Sequence, residues 1–213
     1  METLRLLAVM AAVAAACGGC EGNKKPPSSN GGLAQGGKAS MMTVVVEGNQ
    51  PFPQDMVGTW RADRNGWEFV FNPDGTISSA VISMGRVRME PGKTAVVPMI
   101  NDGQGTFEPG PWAVHCDAES RTLTVHIEIQ RLRVEVVTSL VTGRSRDTFV
   151  GTVSPDGKTW DVVWTSFPDY VASTDGGQTS VPLGTDEYGI EHQLIFEKVP
   201  PESVAEPQGQ TNP

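Results

Sequence analysis

The chain has no cluster of Lys and Arg: 16 basic residues face 25 acidic ones in a sequence of 213, a formal net charge of −9. A phosphate-binding groove needs the opposite balance, which excludes nucleic acid as a partner. It also leaves no basic patch to hold anionic lipid head groups. An uncharged run at residues 6–16 is eleven residues long, about half of what a membrane-spanning helix requires. Three cysteines are present, at 17, 20 and 116. Cys17-Gly-Gly-Cys20 would need a second ligand pair to make a zinc knuckle, and only Cys116 with neighbouring His115 remains to offer one, so no metal site is assigned. A Ser-His-Asp elbow, a phosphate loop and a dinucleotide glycine pattern are all missing. The sequence therefore assigns no catalytic residue and implies no cofactor.

What is present divides the chain into four parts. Residues 1–16 have the length and apolar character of a signal peptide. Residues 17–40 are rich in Gly, Ser, Pro, Asn and Lys, bury too little apolar surface to order themselves, and read as a tether. Residues 41–199 form one domain, and residues 200–213, with four prolines and no periodic apolar pattern, read as a disordered tail. An apolar run ending in small residues, then a cysteine, then a flexible polar spacer resembles the signal of bacterial lipoproteins. Ala14-Ala15-Ala16-Cys17 carries the resemblance, with Ala14 where that family favours Leu. It implies acylation of Cys17, with Cys20 as the alternative, and an address in the bacterial cell envelope, the membrane being reached through acyl chains such as palmitate. Gly18 after the cysteine implies export to the outer membrane or surface. A disulfide between Cys20 and Cys116 is the competing use of those thiols, and a buried small hydrophobe is the simplest role for Cys116.

Within the domain no helical stripe of ten residues is found, whereas period-two alternation recurs. Thr122-Leu-Thr-Val-His-Ile-Glu-Ile129 places Leu123, Val125, Ile127 and Ile129 on one face, and Leu132, Val134 and Val136 then carry the apolar face on even numbers. The change of parity at Gln130-Arg131 demands a bulge or tight turn, because otherwise the apolar face would turn to solvent. Phe71-Asn-Pro-Asp-Gly-Thr76 and Val153-Ser-Pro-Asp-Gly-Lys158 each supply Pro, Asp and Gly in the order a turn uses them, so both close hairpins; residues 117–122 form a third. With segments at 42–47, 58–62, 94–100, 111–116, 134–140 and 191–199, roughly ten short strands are expected. An open sheet of that size would expose long edges. The expected fold is all-β, an antiparallel up-and-down barrel of about 8–10 strands, with a β-sandwich as the alternative.

Residues that could carry chemistry are few. Ser173-Thr-Asp175-Gly-Gly177-Gln-Thr179 resembles the Asp-box of sialidases but lacks its Trp, and reads as turn chemistry. His126 and Glu128 share a strand face, with His115 on a neighbouring strand; a metal or acid-base site can be built from them, but the solvated side of a sheet explains them more simply. Those residues are all that a hydrolase reading would rest on. Trp67, Phe69 and Phe71 line one strand face, and Trp160, Val162 and Trp164 another, so two hairpins each point large rings one way. Such rows fill the core of a small barrel or line its cavity.

Phe52-Pro-Gln-Asp-Met-Val-Gly58-Thr-Trp60, followed by the 71–76 turn, resembles the opening of bacterial lipocalin-like domains, where Gly-x-Trp starts the first barrel strand after a short coil. The resemblance implies a barrel whose mouth takes a small hydrophobic ligand, and a basic residue near the last strand's end packed on that Trp; Lys198 is the residue available. Expected lining residues are Trp67, Phe69, Phe71, Trp112, Trp160 and Trp164. The other function expected is a non-catalytic interaction module for another envelope component. It would act through the loop at residues 168–189, in the long irregular stretch read from Phe167 to Tyr188 that contains Asp169, Asp175, Asp186 and Glu187.

Overall fold

The computed structural model describes residues 41–82, 87–99, 101–136, 139–174, 179–182 and 189–200; the signal, Cys17, Cys20 and the tether lie outside them, as does all but the first residue of the tail. These residues are all-β, with thirteen strands in one sheet. In chain order they are β1 (Met42–Val46), β2 (Gly58–Ala62), β3 (Glu68–Phe71), β4 (Ile77–Ile82), β5 (Val87–Met89), β6 (Ala95–Pro98), β7 (Gln104–Pro109), β8 (Trp112–Asp117), β9 (Thr122–Val136), β10 (Ser139–Val153), β11 (Thr159–Thr174), β12 (Thr179–Pro182) and β13 (Ile190–Lys198). Two short 3-10 turns, Glu47–Asn49 and Gln54–Met56, interrupt the segment between β1 and β2.

Three hairpins form where turn chemistry requires them. Gly75 and Gly157 hold positive φ of 82° and 67°, which a side chain would disfavour. Asp74 accepts from the Thr76 backbone N–H and hydroxyl at 3.0 and 2.6 Å, and Asp156 plays the same part for Lys158 and Ser154. In the third, Asp117 accepts from the N–H groups of Glu119 and Ser120. These carboxylates are held below the usual carboxylate range by those donors, so each turn is tightest when its aspartate is ionised.

The sheet runs β1-β8-β9-β10-β11-β13-β2-β3-β4-β5. Its spine is three long strands, β9 to β11, of 15, 15 and 16 residues. Their lower halves continue into β8 on one side and β13 on the other; their upper halves take β7, with β6 beyond it, and β12. The required irregularity lies where the parity changes: Gln130 and Arg131 both face out, and the register slips between Gly143 and Ser145 on β10 and between Glu108 and Pro109 on β7. Every apolar residue from Leu123 to Val134 in β9 thus faces the same core.

Four features differ from the sequence expectation. Thirteen strands appear instead of about ten, because β5 has only three residues, too few to show an alternation, and β7 and β12 are short and rich in Gly, Pro or polar residues. The sheet is mixed, not purely antiparallel: β1 pairs parallel to β8, a pairing reached through a long crossover, not a hairpin. Segment 134–140 is not one strand but spans the top of the β9–β10 hairpin, where Val136 pairs with Ser139. The stretch read as loop from 167 continues β11 to Thr174, which β12 then flanks; residues 175–178 and 183–188 lie outside the described ones. Pro168 masked that strand in the sequence, and it is tolerated because it falls between the last pair of β11 with β13, at Ser166, and its first pair with β12, at Val171.

Among the described residues no backbone pairing joins the two ends of the sheet, β1 and β5. The sheet curls instead around one core. Side chains meet across the gap, Val44 and Phe52 against Gly75 and Met41 against Gly92. Trp60, Phe69, Phe71, Phe107, Trp112, Phe149, Trp160 and Phe196 are all fully buried. Phe69 is the hub, with ring centroids 5.0–6.3 Å from those of Trp67, Phe71, Phe149, Trp160 and Phe196. Replacing Phe69 by Ala removes a fully buried ring with five aromatic neighbours, and urea denaturation should show a loss of about 3–5 kcal/mol.

Candidate functional site

The two ends of the curled sheet differ. At one end, residues 50–57 cross the opening and the three Asp turns converge on them. Arg121 binds the Asp55 carboxylate at 2.6 Å and the carbonyls of Val153 and Ser154, and Gln54 donates to the carbonyl of Pro73. Trp60 Nε1 donates to the Met56 carbonyl at 2.8 Å. Lys198 pairs with Trp60 across the β13–β2 ladder, lies 5.9 Å from its ring centroid and donates to the Asp55 carbonyl at 2.7 Å. That end is closed by packing, hydrogen bonds and a cation–π contact together.

At the opposite end burial decreases along three parts of the sheet. Along β11 exposure rises from 0% at Trp160 to 7% at Trp164 and 9% at Ser166; from β3 back to the residue before it, it rises from 1% at Phe71 to 5% at Trp67. On β13, Leu194 and Phe196 are buried but His192, on the same face, is exposed. The His192 ring stacks on Trp164 with centroids 5.2 Å apart. Core meets solvent here.

Just inside this margin, on the apolar face of β10, lies Asp147, 4% exposed. Trp164 Nε1 donates to its Oδ1 at 3.0 Å, Ser145 Oγ to its Oδ2 at 3.2 Å, and the Ser166 hydroxyl, directly across the ladder, is a third partner. Tyr170 extends the network through a hydrogen bond with Ser145. Ionising a buried carboxyl costs several kcal/mol, and neutral donors return only part of it. Burial therefore wins, and the Asp147 carboxyl is pushed above the usual carboxylate range despite three donors. Burial, reinforced by Asp147, likewise pushes the Tyr170 hydroxyl up to about 12.

Glu68 provides the contrast. It is also nearly buried, on the outer face of β3, but Arg61 and Arg88 hold its two oxygens at 2.9 and 2.8 Å. Burial alone would raise its pKa; the two guanidiniums outweigh that and lower it. Asp147 has no such cation: no salt bridge among the described residues involves it, and its hydrogen-bond partners are neutral.

Of the six aromatic residues expected to line a cavity, Trp67 and Trp164 reach the open end, with centroids 5.6 Å apart in an edge-on arrangement. Phe69, Phe71 and Trp160 pack ring against ring in the centre, and the Trp160 indole N–H has no hydrogen-bond partner among the described residues. Trp112 lies apart on β8 and donates to the Glu128 carbonyl. Two surface depressions, of about 470 and 290 Å³, are lined by residues 158–159 with 197–200 and by Arg61, Ala62, Gly66, Glu68, Val81 and Arg88; none of the six aromatics borders either.

The histidines on the outer face do not converge. His115 meets Glu47 at 3.2 Å and His126 Nδ1 meets the Thr148 hydroxyl at 3.1 Å, and no group of three metal-binding side chains is found among the described residues. Burial, with nearby His115 adding to it, lowers the His126 pKa. Cys116 is buried beside Met56, and burial pushes its thiol up to about 11, which makes it an inert core residue.

Compared with protein-family models, curated proteins and solved structures, the chain matches none.

Asp147 was absent from the sequence reading, although a signal for it exists. Counting back from Phe149 by twos puts Asp147 and Ser145 on the core side of β10, an ionisable residue where an apolar one belongs. A carboxyl whose pKa is raised by folding adds stability below its unfolded value, about 4, and that contribution is lost as pH rises through the folded value. Asp147→Asn keeps an acceptor for Trp164 but cannot ionise. Its stability relative to the parent chain, followed by urea titration at several pH values, should therefore rise from acid to alkaline pH; a flat difference would show that Asp147 does not titrate in the folded domain.

Proposed function

We propose that the chain is a cell-envelope lipoprotein, acylated on Cys17 with Cys20 as the alternative, whose lipocalin-like barrel binds a small hydrophobic ligand at its open end. The observation that carries the ligand reading is the contrast between the two ends: one is plugged by residues 50–57, the other thins to Trp67, Trp164 and an exposed His192 over a buried carboxyl. Lipocalin-like character is supported by Lys198, which packs on the Trp of Gly58-Thr-Trp60 as the sequence resemblance implies. Barrel closure in this reading rests on side chains across the β1–β4 and β1–β5 gap, Val44 and Phe52 at Gly75 and Met41 at Gly92, and not on a backbone ladder. The ligand then meets the rims of Trp67 and Trp164, while Phe69, Phe71 and Trp160 form the floor.

A second reading, an interaction module acting through residues 168–189, draws on the β11–β12 arm, where Val171 and Val181 are exposed. Pull-downs from envelope extracts with the parent chain and a 168–189 deletion test it; identical partners in both would end it.

For the anchor, metabolic labelling with radioactive palmitate should mark the parent chain and Cys20→Ser but leave Cys17→Ser unlabelled and released from the membrane fraction. Labelling of Cys17→Ser would move the anchor to Cys20. For the ligand, titration with medium-chain fatty acids and N-phenyl-1-naphthylamine should change the fluorescence of Trp67 and Trp164, and Trp164→Phe should reduce the response.

A further inference from the structure

A buried carboxyl in a folded protein ordinarily has a cation, a metal or a full set of donors facing it. Asp147 has the donors and lacks the cation. Its surroundings are Ile127 across the β9 ladder, Ser166 and Trp164 on β11, Ser145 on its own strand and Tyr170 beyond Ser145. None of these carries positive charge. The nearest arginines in sequence, Arg144 and Arg146, belong to the other face: Arg144 pairs with Asp169 and Arg146 lies 5.7 Å over the Phe167 ring. The one titratable group that reaches this margin from β13 is His192, stacked on Trp164.

The same margin carries two indoles. Trp67 and Trp164 lie with centroids 5.6 Å apart and pack on the fully buried Phe149 at 4.8 and 6.1 Å. An aromatic wall beside an uncompensated carboxyl suits one chemical class better than a neutral lipid or a fatty acid. A fatty acid would bring a second carboxylate to an acidic site, and a plain hydrocarbon would leave Asp147 without its counter-charge. A protonated amine supplies that charge, and the ring faces attract it as well. The net charge of −9 favours the approach of cations over anions.

We propose that the open end binds an organic ammonium ion, its charged nitrogen on the Asp147 carboxylate and its apolar body against Trp164 and Trp67. This rests on the ligand-binding reading above and narrows its ligand to a class. Asp147 and Trp164 are 4% and 7% exposed and neither surface depression borders them, so entry requires the side chains at this margin, Trp164 and His192 first, to move apart. Acid weakens binding by neutralising Asp147.

The test uses three probes of one shape, 2-phenylethylammonium, 2-phenylethanol and phenylacetate, titrated into the full chain by calorimetry and tryptophan fluorescence. The expected result is that the amine binds about tenfold or more tightly than the alcohol, that phenylacetate binds least, and that the preference for amine disappears in Asp147→Asn. In His192→Gln, an exposed position whose exchange leaves the core intact, the affinity for the amine should still fall as pH is lowered. Should Asp147→Asn fail to fold by circular dichroism, the pH series on the parent chain and His192→Gln decides: an amine preference unchanged by acid overturns the proposal. Equal binding of amine and alcohol also overturns it, and leaves the hydrophobic-ligand reading standing. If none of the three binds, and neither fatty acids nor N-phenyl-1-naphthylamine do, both readings fall.

Discussion

Everything in this domain depends on keeping the inward face of three very long strands turned to one core. A strand of fifteen residues presents side chains alternately to the two faces, so a single slip in register would expose half the core. In β9 the sequence itself slips at Gln130-Arg131, and the bulge there, answered by irregularities in β10 and β7, restores the facing. Two sheets' worth of pairing can then share one spine: β8 and β13 flank its lower half, β7 and β12 its upper half. The aromatic cluster around Phe69 sits in the concavity that results, and each ring pair adds about 0.5–1.5 kcal/mol beyond its buried area.

The plugged end follows from the same geometry. Hairpin turns rich in Asp and Gly gather where β3, β8 and β10 all finish, and the polar backbone they bring needs partners. Asp55 collects Arg121 through its side chain and Lys198 through its carbonyl, tying three remote segments together across 66 and 143 residues of sequence. Trp60 closes the interior by using its indole N–H on the Met56 carbonyl, so the largest ring at that end is both packed and satisfied. Towards the opposite end exposure rises from Phe149 to Asp147 and from Trp160 to Ser166, while Met99, Phe107, Leu132 and Val134 carry the core on along the upper half of β9.

Asp147 and Glu68 show how little a buried carboxyl's identity says without its neighbours. Both are acids nearly removed from water. Two arginines reach Glu68 from flanking strands and lower its pKa; only neutral hydroxyls and an indole reach Asp147, and its pKa rises. The difference is set by which strands lie on either side, and on which face, and neither is written near residue 68 or 147. Alternation read along 142–153 places Asp147 inward once Phe149 is taken as core, but it does not tell that Ser166 will stand opposite or that Trp164 will reach over.

The amino-acid order by itself determined the all-β class, the Asp-Gly turns, the inward and outward faces of the strands and the need for a bulge at 130–131, because each of these is a property of a few neighbouring residues and the chain's local stereochemistry. Tertiary structure alone decided the parallel seating of β1 on β8, the conversion of residues 167–174 from apparent loop to strand, the meeting of Lys198 with Trp60, and the assembly of the Asp147 network. Those outcomes depend on contacts between residues tens to more than a hundred positions apart, whose energies exist only once the sheet has curled and brought them within a few ångströms.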